Sequence, residues 1–348
     1  MSAYAEELRA TAKAMVAPGQ GVLAMDESNG TCNKRLNKVG IEPSEDMRRA
    51  YRELILTTPG LGDYISGAIL YDETIRQSTQ GGKSFLSVMK EQNIIPGIKV
   101  DTGAKDLAGH PGEKVTEGLD GLRDRISEYY QMGARFAKWR AVITIGDGIP
   151  TDACIEANAH ALARYAGLCQ EGGLVPIVEP EVLINGNHTI ERCFEVTSRT
   201  LRTVFNHLST QGVAFDQMIL KPSMVISGLD CPQQASVEQV ADMTIKCLMD
   251  NVPASVAGVA FLSGGQSNEQ ASAHLNTMNV KYADQAPWPI TFSYARAIQG
   301  PALEHWKGQT SNVSTSQKLL HHRAKCNAAA HDGKYTPDLE KEMAAVTA

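Results

Sequence analysis

Apolar and β-branched residues gather in eight short runs along the chain: GVLAM (21–25), YISGAIL (64–70), IIPGIKV (94–100), ARFAKW (134–139), LVPIVEP (174–180), MILKP (218–222), VAGVAFLS (256–263) and PITFSY (289–294). Such short apolar runs read as strands. Longer amphipathic stretches separate them, among them SEDMRRAYRELILTT (44–58), TDACIEANAHALARYAGLCQ (151–170), TIERCFEVTSRTLRTVFNHLSTQ (189–211) and SVEQVADMTIKCLMD (236–250). Ser236 with Glu238 and Gln239, and Thr151 with Asp152, read as helix entries. Strand and helix alternate over about 290 residues, the size of one closed α/β barrel. The expectation is an α/β protein, a single (β/α)8 TIM barrel with extra N- and C-terminal helices; an open doubly wound sheet is the alternative. No Ser/Gly/Pro-rich linker divides the chain, so residues 1–337 read as one barrel domain. Residues 338–348 read as a polar, loosely tied C-terminal tail.

Composition narrows the function classes. A net charge of -6 and a pI near 5.9 lack the basic footprint of a nucleic-acid-binding domain. No apolar stretch approaches the ~20 residues of a membrane span. The N-terminal MSAYAEELRATAKAM is amphipathic and carries Glu6 and Glu7, unlike a signal or transit peptide. A cytoplasmic protein is expected, or one of the plastid stroma if the numbering is that of a mature, transit-cleaved chain. The seven cysteines are odd in number, scattered and without a CxxC pair, which reads as reduced thiols. The histidines are dispersed and no HExxH or EF-hand spacing occurs, so neither a metal nor a cofactor is expected.

A barrel demands that chemistry lie at the C-terminal ends of its strands. Ionisable and hydroxyl residues fall there. Asp26 closes the first run, Lys99 and Asp101 the third, Lys138 and Arg140 the fourth, Glu179 and Glu181 the fifth, and Lys221 the sixth. Ser263 and Ser293 close the last two. The charged members of the third to fifth runs are spaced i, i+2 and so share a face. Lys221 stands alone after an apolar run and before Pro222. Desolvation disfavours an ammonium so placed, and a free amine can attack a ketone to form a Schiff base.

Two anion-binding clusters flank these groups. SGGQSN (263–268) offers adjacent glycines and the Ser263 hydroxyl, and SYAR (293–296) brings Arg296 to the same side. Barrels often hold a phosphate between the loops after strands seven and eight. DESNGTCNKR (26–35) supplies Ser28, Thr31, Lys34 and Arg35 after the first run. Two such sites point to a substrate phosphorylated at both ends. GQGVLA (19–24) precedes a strand instead of following one, and GGKS (81–84) lacks the first glycine of a phosphate loop, so neither carries a nucleotide reading.

The strings LAMDESNGTCNKRL, PGIKVD, EGLDGL, RFAKWR, LVPIVEPE, LKPSM, FLSGGQS and FSYARA, spread from Tyr4 to Pro337, resemble class I fructose-bisphosphate aldolase. TTPGLGDYISGAIL, and Ala295 within FSYAR, look more like its plastid and cyanobacterial branch. The resemblance implies reversible cleavage of fructose 1,6-bisphosphate to dihydroxyacetone phosphate and glyceraldehyde 3-phosphate, with sedoheptulose 1,7-bisphosphate as a further candidate. It makes Lys221 the Schiff-base lysine, Glu179 the dehydration acid/base with Glu181 beside it, and Asp26 the base for the C4 hydroxyl. Lys138 would assist C–C cleavage, and Lys99 and Arg140 would bind the sugar. Ser263, Gly264, Gly265, Ser293 and Arg296 would hold the C1 phosphate, and Ser28, Thr31 and Arg35 the C6 phosphate. Thr31 stands where many relatives carry serine, which keeps the hydroxyl. Many relatives end in a tyrosine that visits the active site, whereas the last tyrosine here is Tyr335; removal of the tail after Pro337 is therefore expected to change turnover little. The family implies a homotetramer. A transaldolase-type Schiff-base barrel and a non-catalytic aldolase-like scaffold are the competing readings; the first needs one phosphate clamp, and the second has no use for costly buried charges.

Overall fold

The computed structural model describes residues 3–347, with side chains as far as residue 342. Every predicted run holds a strand. In chain order these are β1 (Gly21–Ala24), β2 (Ile65–Leu70), β3 (Ile95–Lys99), β4 (Gly103–Asp106), β5 (Lys114–Glu117), β6 (Phe136–Ile143), β7 (Val175–Val182), β8 (Ile219–Leu220), β9 (Gly258–Phe261) and β10 (Ile290–Tyr294). Eight of them pair in parallel and close in the order β1-β10-β9-β8-β7-β6-β3-β2. Closure decides for the barrel over the open sheet.

The barrel interior is filled by Val22, Ala24, Ile69, Phe136, Val175, Ile177, Ile219 and Ala260. Phe136 sets the local fit: a Cβ on Gly97 of the neighbouring strand would lie 2.1 Å from its ring. Only glycine leaves room for a ring whose full burial contributes about 1.5–3 kcal/mol. The amphipathic N-terminal segment forms the helix Ala5–Met15 and buries Leu8, Ala12 and Met15 against this interior cluster. The next residue, Val16, touches the start of β9, since a Cβ on Gly258 would meet its Cγ1 at 2.7 Å. One mouth is thereby sealed, and the open mouth is the one where the strands end.

Helix entries follow the expected capping chemistry. Ser236 forms a capping box with Gln239, and Thr151 Oγ1 accepts from Cys154 N. Two features depart from the sequence reading. The antiparallel hairpin β4–β5 lies between β3 and β6 and was not among the predicted runs. It is fixed to the scaffold: the buried Glu113 carboxylate accepts from Thr151 N (2.8 Å) and Oγ1 (2.7 Å), and Asn158 Nδ2 donates to Lys114 O (2.8 Å). The polar end, expected to be loosely tied, forms the helix Pro337–Thr347, and its Glu340 pairs with the buried Arg323. Lys325 pairs with Glu342 at 2.7 Å in the same contact.

All seven cysteines are buried and unbridged. Among the described residues, no helix is long and apolar enough to cross a membrane. His322, Cys326 and Glu340 come together on the outer helix Val313–His331 and the C-terminal helix, a grouping no sequence spacing announced. The Glu340 oxygens accept from Arg323 and Tyr335, so the grouping reads as a hydrogen-bonded cluster.

Candidate active site

One cavity of about 600 Å³ opens at the C-terminal mouth, and every residue singled out from the strand ends and anion loops lines it except Gly265 and Lys34. Gly265 stands behind it: a Cβ there would lie 3.5 Å from Arg296 Nη2. Lys34, placed beside the C6-phosphate cluster by sequence, is exposed and outside the lining.

Three strand ends supply the centre. Lys138 on β6 projects between Asp26, at 2.7 Å from its Oδ2, and Glu179 on β7, at 3.6 Å from its Oε2. The other Glu179 oxygen lies 3.2 Å from Lys221 Nζ. Lys221 follows β8 directly, and its backbone N–H still donates to Val178 O at 2.8 Å, which fixes where its side chain leaves the barrel wall. Lys138, Glu179 and Lys221 are 4%, 3% and 4% exposed. Charges this deep persist only when paired. Burial pushes the Asp26 carboxyl up, but the ammonium groups of Lys138, Lys221 and Lys99 outweigh it and hold the group at about 2. Burial disfavours the Lys138 charge, yet Asp26 and Glu179 raise its pKa well above the ordinary lysine value. Asp26 is thus ionised at any working pH.

Lys99 donates to the backbone carbonyl of Asp101 at 2.7 Å and pairs with its carboxylate. Burial pushes the Lys99 ammonium below its usual value, against the pull of Asp101. Asp101 also accepts from Gly103 N (3.1 Å) and Arg140 N (3.2 Å), so one carboxylate orders the ends of β3 and β6. Arg140 in turn pairs with Glu181.

The two anion clusters differ in how committed their donors are. Gly264 and Gly265 both have positive φ, 56° and 102°, a conformation that glycine adopts without strain. Among the described residues the buried Ser293 hydroxyl has no hydrogen-bond partner, and Arg296, which lines the cavity, has no ion pair. Donors left unmatched beside a glycine loop are what an anion would satisfy. On the other side, Ser28 caps the helix Asn29–Lys38 by accepting from Thr31 N, and Arg35 pairs with Glu27. Glu27 also takes Arg52 Nη1 at 2.7 Å, so Arg35 is steadied by a buried carboxylate.

Sequence reasoning passed over four polar side chains of the cavity lining: Glu27, Tyr71, Thr102 and Asn185. Tyr71 follows β2 directly, so the strand-end rule that found the lysines would have found it. Thr102 arrives with the hairpin, and Asn185 comes three residues after β7. Asp101 was noticed at its strand end but not placed in the site.

A closed barrel whose mouth gathers paired amines and carboxylates in one cavity, flanked by a glycine loop with Arg296 and by a hydroxyl cluster with Arg35, has the architecture of a lysine-bearing barrel enzyme. The family model "Fructose-bisphosphate aldolase class-I" matches residues 7–348. A probable class 1 fructose-bisphosphate aldolase of Xanthomonas campestris is 60% identical over 331 residues, covering 95% of this chain and 98% of that protein. The chloroplastic fructose-bisphosphate aldolase 3 of Arabidopsis thaliana is 50% identical over 342 residues, covering 98% and 86%. The solved structure of Plasmodium falciparum fructose-bisphosphate aldolase, in complex with TRAP and a small-molecule inhibitor, superposes with a TM-score of 0.94 at 45% identity, covering 96% of each chain. The chain belongs to the class-I fructose-bisphosphate aldolase family. Its activity is the reversible aldol cleavage of fructose 1,6-bisphosphate through a lysine Schiff base.

Proposed function

We propose that Lys221 is the nucleophile of this reaction and that Glu179, Lys138 and Asp26 move its protons. The observation that carries the reading is the relay from Lys221 through Glu179 and Lys138 to Asp26. Glu179 takes a proton from the Lys221 ammonium, and the free amine attacks the C2 ketone to give a carbinolamine. The carbinolamine oxygen leaves as water with a proton returned by Glu179, and the product is an iminium. Asp26 removes the C4 hydroxyl proton. The C3–C4 bonding pair then flows toward the iminium, leaving an enamine on Lys221 and releasing glyceraldehyde 3-phosphate. Protonation of the enamine at C3 and hydrolysis of the imine return the lysine and dihydroxyacetone phosphate. Lys138 offsets the charge of both carboxylates throughout. Each acid–base step of this kind contributes about 10²–10⁴-fold.

Ser263, Gly264, Gly265, Ser293 and Arg296 receive the ketone-side phosphate, and Ser28, Thr31 and Arg35 the aldehyde-side phosphate, with Lys99 and Arg140 ordering the sugar between them and Glu181 serving the catalytic group beside Glu179. Binding energy at the two remote ends is then directed to orientation at the reacting carbons. The homotetramer, a stromal or cytoplasmic setting and a second substrate in sedoheptulose 1,7-bisphosphate belong to the same proposal and rest on the family resemblance. Borohydride reduction in the presence of dihydroxyacetone phosphate tests the central assignment. Mass mapping is expected to place the adduct on Lys221 alone; an adduct on Lys99 or Lys138 would refute it.

A further inference from the structure

Arg323 lies on the outer helix Val313–His331, and its side chain is 0% exposed. Its Nε donates to the carbonyl of Ala297 (3.1 Å), and Nη2 donates to the carbonyl of Asn268 (3.0 Å) and to Ser272 Oγ (2.9 Å). Ala297 directly follows Arg296, and Asn268 begins the helix that follows the Ser263–Ser267 loop. One guanidinium therefore grips the backbone of both walls of the ketone-side phosphate receptor. A guanidinium cannot shed its charge, and burying it without a carboxylate is costly. Among the described residues its ion-pair partner is Glu340, whose two oxygens accept from Nη1 at 2.5 and 2.6 Å. Glu340 is carried by the C-terminal helix and held in place by the Tyr335 hydroxyl at 2.8 Å.

We propose that Arg323 is a positioning residue for the ketone-side phosphate clamp, and that Glu340 makes the clamp's geometry depend on the docked C-terminal helix. The proposal rests on the clamp assignment made above. The fork of Arg323 has fixed geometry, so its contacts to Ala297 and Asn268 hold Arg296 and Gly264–Gly265 at a set separation. Removing the Glu340 charge leaves a buried cation to find water or another acceptor, and the two carbonyls shift with it. The aldehyde-side cluster shares none of these contacts.

The test compares the two ends of the site in the full-length protein. Half-saturation of borohydride trapping by dihydroxyacetone phosphate reads the ketone side. The KM for glyceraldehyde 3-phosphate in the condensation direction reads the aldehyde side. Glu340→Gln is expected to raise the first about tenfold, a coupling of ordinary size between sites, and to leave the second within about twofold. Glu340→Asp is expected to restore part of the loss, which a general loss of stability would not explain. Equal changes at both ends, or none, would overturn the coupling. Arg296→Ala separates this from failure of the clamp assignment itself: no effect of that change on trapping would mean that the assignment fails. If Glu340→Gln does not fold, Tyr335→Phe removes only the hydroxyl that holds Glu340, and the same selective rise decides.

Discussion

Lys221→Met is expected to lower turnover by on the order of 10⁵–10⁶-fold, the scale on which removal of a nucleophile acts. Methionine nearly matches lysine in length and leaves the apolar stem contacts of the β8 end in place. The two other lysines that line the cavity are both engaged. Lys138 is held between Asp26 and Glu179, and Lys99 is tied to Asp101. Glu179 keeps Lys138 as a counter-charge at 3.6 Å, so the fold survives with only a modest loss of stability. A coupled assay for both triose phosphates, with far-UV circular dichroism and a denaturant melt on the same sample, measures the two effects separately. Residual activity within a hundredfold of the parent would move the nucleophile elsewhere.

Lys138→Met is expected to act on both chemistry and stability. It strips the shared cation from two buried carboxylates, and breaking such a pair costs about 3–5 kcal/mol. Turnover should fall by about 10²–10⁴-fold, because proton transfer at C4 loses its balancing charge. The pH dependence carries a sign. Asp26 sits at about 2 in the folded protein, below its ordinary value of 3.8. Its contribution to stability is therefore complete above pH 3.8 and lost as pH falls through about 2. Without Lys138 the burial that pushes Asp26 up meets less opposition, so its folded pKa rises and part of that contribution disappears at every pH above it. The acid limb of kcat/KM is expected to move to higher pH, and urea melts at neutral pH should show the stability loss. An acid limb that stays put would remove Lys138 from the control of Asp26.

The barrel and the centre of its site were legible because each rests on a local signal. Strands covered on both faces must be apolar throughout, and a charged residue ending such a run has no solvated surface to explain it. GLVPIVEPE reads this way, and Glu179 and Glu181 prove to be buried. The hairpin was not legible, because GAKD and KVTE are short and mostly solvent-facing; they owe their shape to Glu113 and Asn158 contacts with the helix Asp152–Glu171. Nor does local pattern separate buried from solvated charge within helices. Arg52 in RRAYREL and Arg323 in HHRAKC look like neighbours on a polar face, yet both are buried. Their partners lie in distant segments, Glu27 for one and Glu340 for the other, so only the tertiary fold reveals them. The same blindness made the C-terminal end look loosely tied, and with Glu340 engaged, shortening the chain after Pro337 is no longer expected to be neutral.

The seven sequestered thiols turn the protein into a clock for its own opening. Burial pushes Cys154 and Cys247 up to about 11 and Cys326 to about 12, so the reactive thiolate is scarce while the chain is closed. Alkylation by iodoacetamide must then wait for each segment to come apart, and its rate reports that local opening equilibrium. Cys326, in the helix braced by the C-terminal contact, is expected to label earlier in Glu340→Gln than in the parent, while Cys169, between β6 and β7 in the chain and fully enclosed, keeps its pace. Timed quenching followed by peptide mass spectrometry would record one ticking rate per cysteine, a map of where the barrel loosens first.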